Sequence, residues 1–305
     1  MKKTPEKYGD LTKRDLSVYP LNIDTSKLNE TEKYPLCNVP HLILINGRVK
    51  AGKSVLASNL YLNPNMYGND FEVKILVSPS AYNDAMNQHL IKDFDYVFTE
   101  YNDDLVDELI EMIEKDKSDD KYLILFDDIV GTTAGSRRGK ADKITSLSTL
   151  YRHIGNGDKE GKLSICICVQ YFKHITPILR NQASGIYICG SYTEKELKKI
   201  AEAYGFFGGS EKAFIDLHRQ ARQNPHDFLF LSVHSMEARR NHGEVLWSYK
   251  DEMEKLKKGR ESTEEPKKEN VKLEVKEEKE EEKKNNINIY NEGDRSSRKL
   301  NRKNI

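Results

Sequence analysis

Gly47-Arg48-Val49-Lys50-Ala51-Gly52-Lys53-Ser54 sets two glycines, a lysine and a hydroxyl at the spacing G-x-x-x-x-G-K-[ST]. The chemistry this spacing suits is capture of a nucleoside triphosphate. The glycines let the loop backbone, Arg48, Val49, Lys50 and Ala51 included, wrap a β-phosphate with its N–H groups. Lys53 can reach the β- and γ-phosphates, and Ser54 can ligate Mg²⁺. A second set lies at Asp127 and Asp128, which end the apolar run YLILF. Asp127 suits the magnesium side of the site, and Asp128, one residue on, suits orientation or deprotonation of an attacking water. A third group, Gln170, ends the run LSICICV, where its amide can bond a γ-phosphate or that water.

These groups need strand ends and a helix start to hold them. The apolar runs at 41–46, 73–77, 122–126, 163–169 and 185–190 are continuous rather than alternating, as strands covered on both faces are. FLFLSV, 228–233, and EVLWSY, 244–249, read as later strands. Between them, 103–116 sets Leu105, Leu109, Met112 and Ile113 on one helical face behind an acidic first turn. Another helix starts at Thr193, where Glu196 completes a capping box, and stops before Gly205. Strand–helix alternation of this kind predicts an α/β domain over 38–250, a mostly parallel central sheet with helices on both faces. The order of P-loop, acid pair and strand-ending Gln describes an additional-strand P-loop NTPase, in which one strand separates the P-loop strand from the acidic one.

The chain's 305 residues and 37% hydrophobic content suffice for one large domain with appendages. Its 49 basic and 49 acidic side chains cancel, so no overall field recommends a nucleic acid or a membrane, and any DNA contact must be local. The candidate for that contact is the basic segment 131–143, with Arg137, Arg138, Lys140 and Lys143, which is otherwise a solvated loop. No apolar run approaches the roughly 20 residues that span a bilayer, and no apolar segment follows Met1-Lys2-Lys3, so the expectation is a soluble protein without a membrane segment. Cys37, Cys166, Cys168 and Cys189 lack C-x-x-C spacing and read as core thiols of a reducing compartment. The histidines lack metal-ligand spacing and read as structural or capping groups. Residues 1–37 read as an N-terminal arm, and 251–305, Lys/Glu-rich, as a charged tail too poor in apolar surface to order.

The series NGRVKAGKS, KILVSPS, YLILFDDI, LYRHIG, ICVQYFKHITPILRNQ and HDFLFL resembles the poxvirus-type genome-packaging ATPases of large eukaryotic DNA viruses, within the FtsK/HerA superfamily, over residues 38 to 235. The resemblance implies a RecA-like, additional-strand P-loop domain that binds ATP and Mg²⁺ and assembles as a homo-oligomeric ring. Such a ring threads double-stranded DNA into a capsid, with capsid or packaging-vertex proteins as partners, at an assembly site in the host cytoplasm or in the virion. It carries Lys53 and Ser54 over as the Walker A pair, Asp127 and Asp128 as the Walker B pair, and Gln170 as the sensor. Many members have Glu where Asp128 stands. The family's R-H and I-R-x-N correspond to Arg152-His153 and Leu179-Arg180-Asn181. This makes Arg152 a candidate trans-acting finger and Arg180 its rival, while Arg48 can touch phosphate in cis. The insert GNGDKEGK after Arg152 is longer than the family pattern. The alternatives are a cellular or plasmid translocase or helicase, a P-loop nucleotide or nucleoside kinase, for which no Arg-rich lid is evident, and a nucleotide-gated assembly factor.

Overall fold

A computed structural model describes residues 31–83, 88–129, 143–155 and 161–263. The basic segment 131–143 therefore lies outside the described residues except for Lys143, as do most of the N-terminal arm and of the tail. The chain divides into two units after Tyr249.

The first unit is built on a nine-stranded sheet. In chain order it carries β1 (Leu42–Gly47), α1 (Lys53–Leu62), β2 (Val73–Val77), α2 (Gln88–Asp93), β3 (Tyr96–Phe98), α3 (Asp103–Lys115), β4 (Tyr122–Asp127), α4 (Lys143–Leu150) and β5 (Leu163–Val169). It continues through α5 (Pro177–Gln182), β6 (Gly185–Cys189), α6 (Glu194–Tyr204), α7 (Glu211–Ala221), β7 (Phe228–Ser232), β8 (Glu237–Arg240) and β9 (Glu244–Ser248). The strand order is β3-β2-β4-β5-β1-β6-β7-β8-β9, parallel as far as β6 and antiparallel from β6 onward. One strand, β5, separates β1 from β4, as the sequence order predicts.

The five continuous apolar runs all form central strands, and side-chain alternation sorts each into two buried layers. Leu42, Leu44, Ile124, Phe126, Ile165 and Ile167 face one layer, covered by α3, α4, α6 and α7. Ile43, Ile45, Leu123, Leu125, Cys166 and Cys168 face the other, covered by Leu56, Leu60 and Tyr61 of α1 and Leu90 of α2. Helices thus lie on both faces. Helix α3 buries Leu105, Leu109 and Ile113 as its periodicity demands, adds Val106, and is capped by Asn102, whose side chain accepts from Leu105 N–H. The capping box at Thr193 and Glu196 forms as expected.

Two strands escape the apolar pattern: β3, only three residues long, and β8, whose sequence is EARR. Residues 31–37, read as part of an arm, pack on the domain. Thr31 bridges Val39, and Cys37 is buried beside β6. All four cysteines are free and buried, and burial pushes the Cys37 and Cys189 thiols up to about 12. In the second unit, α8 (Tyr249–Thr263) shows that the first residues counted with the tail are helical. Lys and Glu are strong helix formers, and a Lys255–Glu252 pair at 3.9 Å adds the charge spacing of one helical turn.

Candidate functional site: a phosphate loop facing two acids

The phosphate loop is shaped by positions where a side chain has no room or the backbone turns left-handed. A Cβ on Gly47 would sit 2.9 Å from Cys189 O and 3.1 Å from Ala51 Cβ. Lys50 has φ 62° and Gly52 φ 89°, the left-handed region in which glycine is unstrained. Lys50 is a non-glycine residue held there, the kind of local strain that collects at binding loops. The turn delivers the chain into α1 with Lys53 as its first residue. Lys53 is buried, and its Nζ curls back to donate to Arg48 O at 3.2 Å.

The acids come from β4. Register pairs Asp127 with Cys168 of β5, and Cys168 with Ile45 of β1, so Asp127 stands level with Ile45, two residues before Gly47 opens the phosphate loop. Alternation puts it on the face covered by α1, the face of Lys53. Asp127 is buried, which raises the cost of its charge unless a cation or donor meets it. The buried Cys168 thiol responds to both charges. Its hydrogen bond to Cys166 and its burial push it well up, Asp127 adds to this, and Lys53 opposes it. Asp128 leaves the strand with φ 56°, and Gln170 Nε2, from the end of β5, donates to Asp128 Oδ1 at 2.7 Å.

These groups line one cleft of about 890 Å³, within the size range of small-molecule sites. Its walls include Val49 to Ser54, Asp127, Asp128 and Gln170. Backbone N–H groups at a helix start, a lysine, a hydroxyl and two carboxylates in one cleft can hold a polyphosphate and a hard divalent cation together. Ser54 and Asp127 offer oxygen donors of the type Mg²⁺ prefers, so the residues present fit that ion.

Arg48 does not line the cleft. Its guanidinium pairs with Glu196, whose carboxylate also accepts from Thr193 N–H at 3.0 Å and from the Thr193 hydroxyl at 2.8 Å. Those Thr193 bonds, ahead of the Arg48 contact, hold the Glu196 carboxyl below its ordinary range. The Arg48 guanidinium, expected to reach phosphate in cis, is engaged by Glu196 in this conformation. Among the described residues no arginine lines the cleft. Arg152 is exposed, its Nε donating to the Tyr151 hydroxyl at 2.9 Å. Arg180 stacks over Phe172 at 4.6 Å and donates to Ile175 O at 3.0 Å. Lys143, the described end of the basic segment, starts α4 and pairs with Asp107 at 2.7 Å.

Sequence reasoning passed over the far wall of the cleft. Met66, His226, Phe228, Asn241 and His242 line it, with His226 Nδ1 3.7 Å from where a Gly52 Cβ would stand. No local pattern joins these positions. The one available signal was HDFLFL itself, where a histidine and a polar turn precede a strand that pairs next to β6.

No protein-family model matches this chain, and no curated protein matches it either. Similar solved structures include the genome packaging NTPase B204 of Sulfolobus turreted icosahedral virus 2 in complex with AMP. It aligns over 66% of this chain and 96% of its own at 15% identity, with a TM-score of 0.48. The DNA-packaging ATPase B204 of Sulfolobus turreted icosahedral virus covers 66% and 97% at 18% identity, with a TM-score of 0.48. The pCW3 conjugation coupling protein TcpA, with ATPγS, covers 70% and 62% at 16% identity, with a TM-score of 0.44. At these identities and scores, the reading of the site rests on its own geometry.

Proposed function

We propose that this chain is an ATP-hydrolysing motor that packages double-stranded DNA into a viral capsid and works as a ring of identical copies. The observation that carries the hydrolytic half is the single cleft in which a glycine-shaped loop and Lys53 meet Asp127, Asp128 and Gln170. A simple phosphate-binding site has no use for a second carboxylate held by an amide at its edge. Lys53 and the loop N–H groups bind the β- and γ-phosphates, and Ser54 and Asp127 hold Mg²⁺. The ion supplies charge neutralisation at the phosphate oxygens. Asp128 takes the proton of the attacking water, and Gln170 sets the orientation of its carboxylate.

Support for the packaging half is the motif series, whose order and spacing resemble the viral packaging ATPases. In this reading an arginine of the adjacent copy, Arg152 or Arg180, neutralises charge on the transferred phosphoryl group. The segment 131–143 follows the acids directly and is the candidate DNA contact. Capsid or packaging-vertex proteins are the further partners of this reading, and a viral assembly site in a reducing compartment is its setting.

The test is ATP turnover by the full chain with and without double-stranded DNA, alongside electron micrographs of the protein with an ATP analogue and DNA. Stimulation by DNA, rings in the images, and loss of turnover in Lys53→Ala and Asp127→Ala are expected. DNA-independent turnover in assembled rings overturns the motor reading, and phosphoryl transfer to an added nucleoside replaces it with a kinase.

A further inference from the structure

Three residues that do not line the cleft, Gly190-Ser191-Tyr192, follow β6 and touch the phosphate loop from outside. Strand β6 pairs with β1 as far as the loop itself, with Cys189 opposite Gly47, so the residues after Cys189 leave the sheet beside the loop. Tyr192 reaches the loop's start. Its hydroxyl donates at 2.9 Å to Asn46 O, the carbonyl of the peptide that joins β1 to Gly47. Because a peptide is planar, holding that carbonyl also holds the Gly47 N–H. Gly190 meets the loop further on: it has φ 80°, and a Cβ on it would stand 2.8 Å from Ala51 Cβ. One short segment thus bears on the turn at both ends. Resting on the reading of the loop as a triphosphate cradle, we propose that Gly190-Ser191-Tyr192 is a positioning saddle, held by α7, that keeps the loop in its anion-binding shape before the nucleotide arrives.

Helix α7 grips the saddle residue by residue. His218, buried on α7, hydrogen-bonds the Gly190 backbone, and its ring packs edge-on to Tyr192 at 5.7 Å. Arg222, the C-cap of α7, donates from Nη1 to Ser191 Oγ at 2.6 Å. Burial pushes the Tyr192 phenol well above its ordinary range, Cys189 and Glu196 add to this, and the Arg222 and Arg48 charges oppose it. The hydroxyl therefore stays protonated at neutral pH and remains a donor to Asn46 O.

Such bracing matters because the loop's shape is one that a free chain seldom visits. Lys50 and Gly52 both hold positive φ. Fixing the backbone of one residue costs about 1–2 kcal/mol in conformational entropy. With the saddle in place that ordering accompanies folding, and the loop loses little freedom when an anion binds. Without it, the ordering falls on the binding step and weakens it.

The experiment is calorimetric titration of the full chain with ATP and with inorganic tripolyphosphate, for the native protein, Tyr192→Phe, Ser191→Ala, Lys53→Ala and Asn102→Ala. Denaturant midpoints and ATP turnover are measured on the same preparations. Tyr192→Phe and Ser191→Ala change no charge, so any effect on anion affinity is one of geometry. Asn102→Ala removes the cap of α3, whose residues do not line the cleft. It is expected to lower the midpoint and leave both affinities as they are. Tyr192→Phe is expected to weaken ATP and tripolyphosphate alike by about tenfold, the factor for freeing roughly one residue of backbone. Its KM rises accordingly while kcat stays within about twofold, as the loss of binding common to ground and transition states requires. Ser191→Ala, one contact further out, is expected to weaken both ligands by about fivefold. An affinity of Tyr192→Phe within about twofold of native overturns the proposal. So does weakening of ATP alone, or equal weakening in Asn102→Ala, which would mark a general loss of stability. If Tyr192→Phe does not fold, Ser191→Ala decides in the same terms. Failure of the cradle reading looks different: tripolyphosphate then does not bind the native chain, or binds Lys53→Ala as well.

Discussion

Gln170 Nε2 and Asp128 Oδ1 are joined by a 2.7 Å hydrogen bond that ties the end of β5 to the end of β4. Asp128 has left the strand with positive φ, and the Gln170 amide aims its carboxylate. Gln170→Leu is expected to lower ATP turnover by roughly 10²-fold while nucleotide affinity stays within about twofold. Phosphate release and calorimetry on the same preparation separate the two. A parallel loss of affinity would mean that Gln170 contacts the nucleotide directly.

Gly190 follows β6 with φ 80°, and a Cβ on it would stand 2.8 Å from Ala51 Cβ in the phosphate loop. Gly190→Ala combines a left-handed backbone with a collision, so a stability loss of about 1–3 kcal/mol is expected from denaturant melts. Nucleotide affinity falls with it, because the displaced partner is the loop itself.

Three histidines are held neutral in the fold. Burial lowers His41 to about 3, burial helped by the Arg222 charge lowers His218 to about 4, and His242 moves the same way. The unfolded chain binds protons at these sites near the ordinary value of about 6.5, and the folded chain does not. Stability is thus full above about pH 6.5 and drains away as pH falls from there toward 4, by about 1.4 kcal/mol per pH unit for each fully buried histidine. Denaturant midpoints measured from pH 7.5 to 4.5 check the sign, and His41→Phe is expected to flatten the slope.

Arg239 exposes only 4% of its side chain. Its guanidinium meets Glu237 at 2.8 Å, His242 O at 2.9 Å and the ring and hydroxyl of Tyr34. Arg239→Ala leaves the Glu237 carboxylate without its cation and is expected to cost about 3–5 kcal/mol. Tyr34→Phe removes a hydroxyl that accepts from this guanidinium and donates to Glu237 at 3.4 Å, leaves the ion pair in place, and is expected to cost about 1 kcal/mol. Thermal melts of the two variants rank them.

What the sequence made legible was whatever has a local signature. The phosphate loop is contiguous, the acids close a continuous apolar run, and the capping box at Thr193 spans four residues, so each could be read without knowing its neighbours. Strand β8 could not, because its sequence EARR gives no hint that Arg239 turns inward to an ion pair and two carbonyls. Strand β3 is too short to show a period. The far wall of the cleft is assembled from positions 66, 226, 228, 241 and 242, which come from the segment after α1, the start of β7 and the β8–β9 turn. The Arg48–Glu196 pair joins residues 148 apart in sequence, and nothing near either one announces the other.

That pair has a mechanical consequence. Both side chains are well exposed, so the bond between them is worth at most about 1 kcal/mol and yields readily to a competing anion. Glu196 keeps its two Thr193 donors when Arg48 departs, which leaves the start of α6 wound. The phosphate loop and α6 are therefore coupled by a clasp that can open and close many times without either element unravelling.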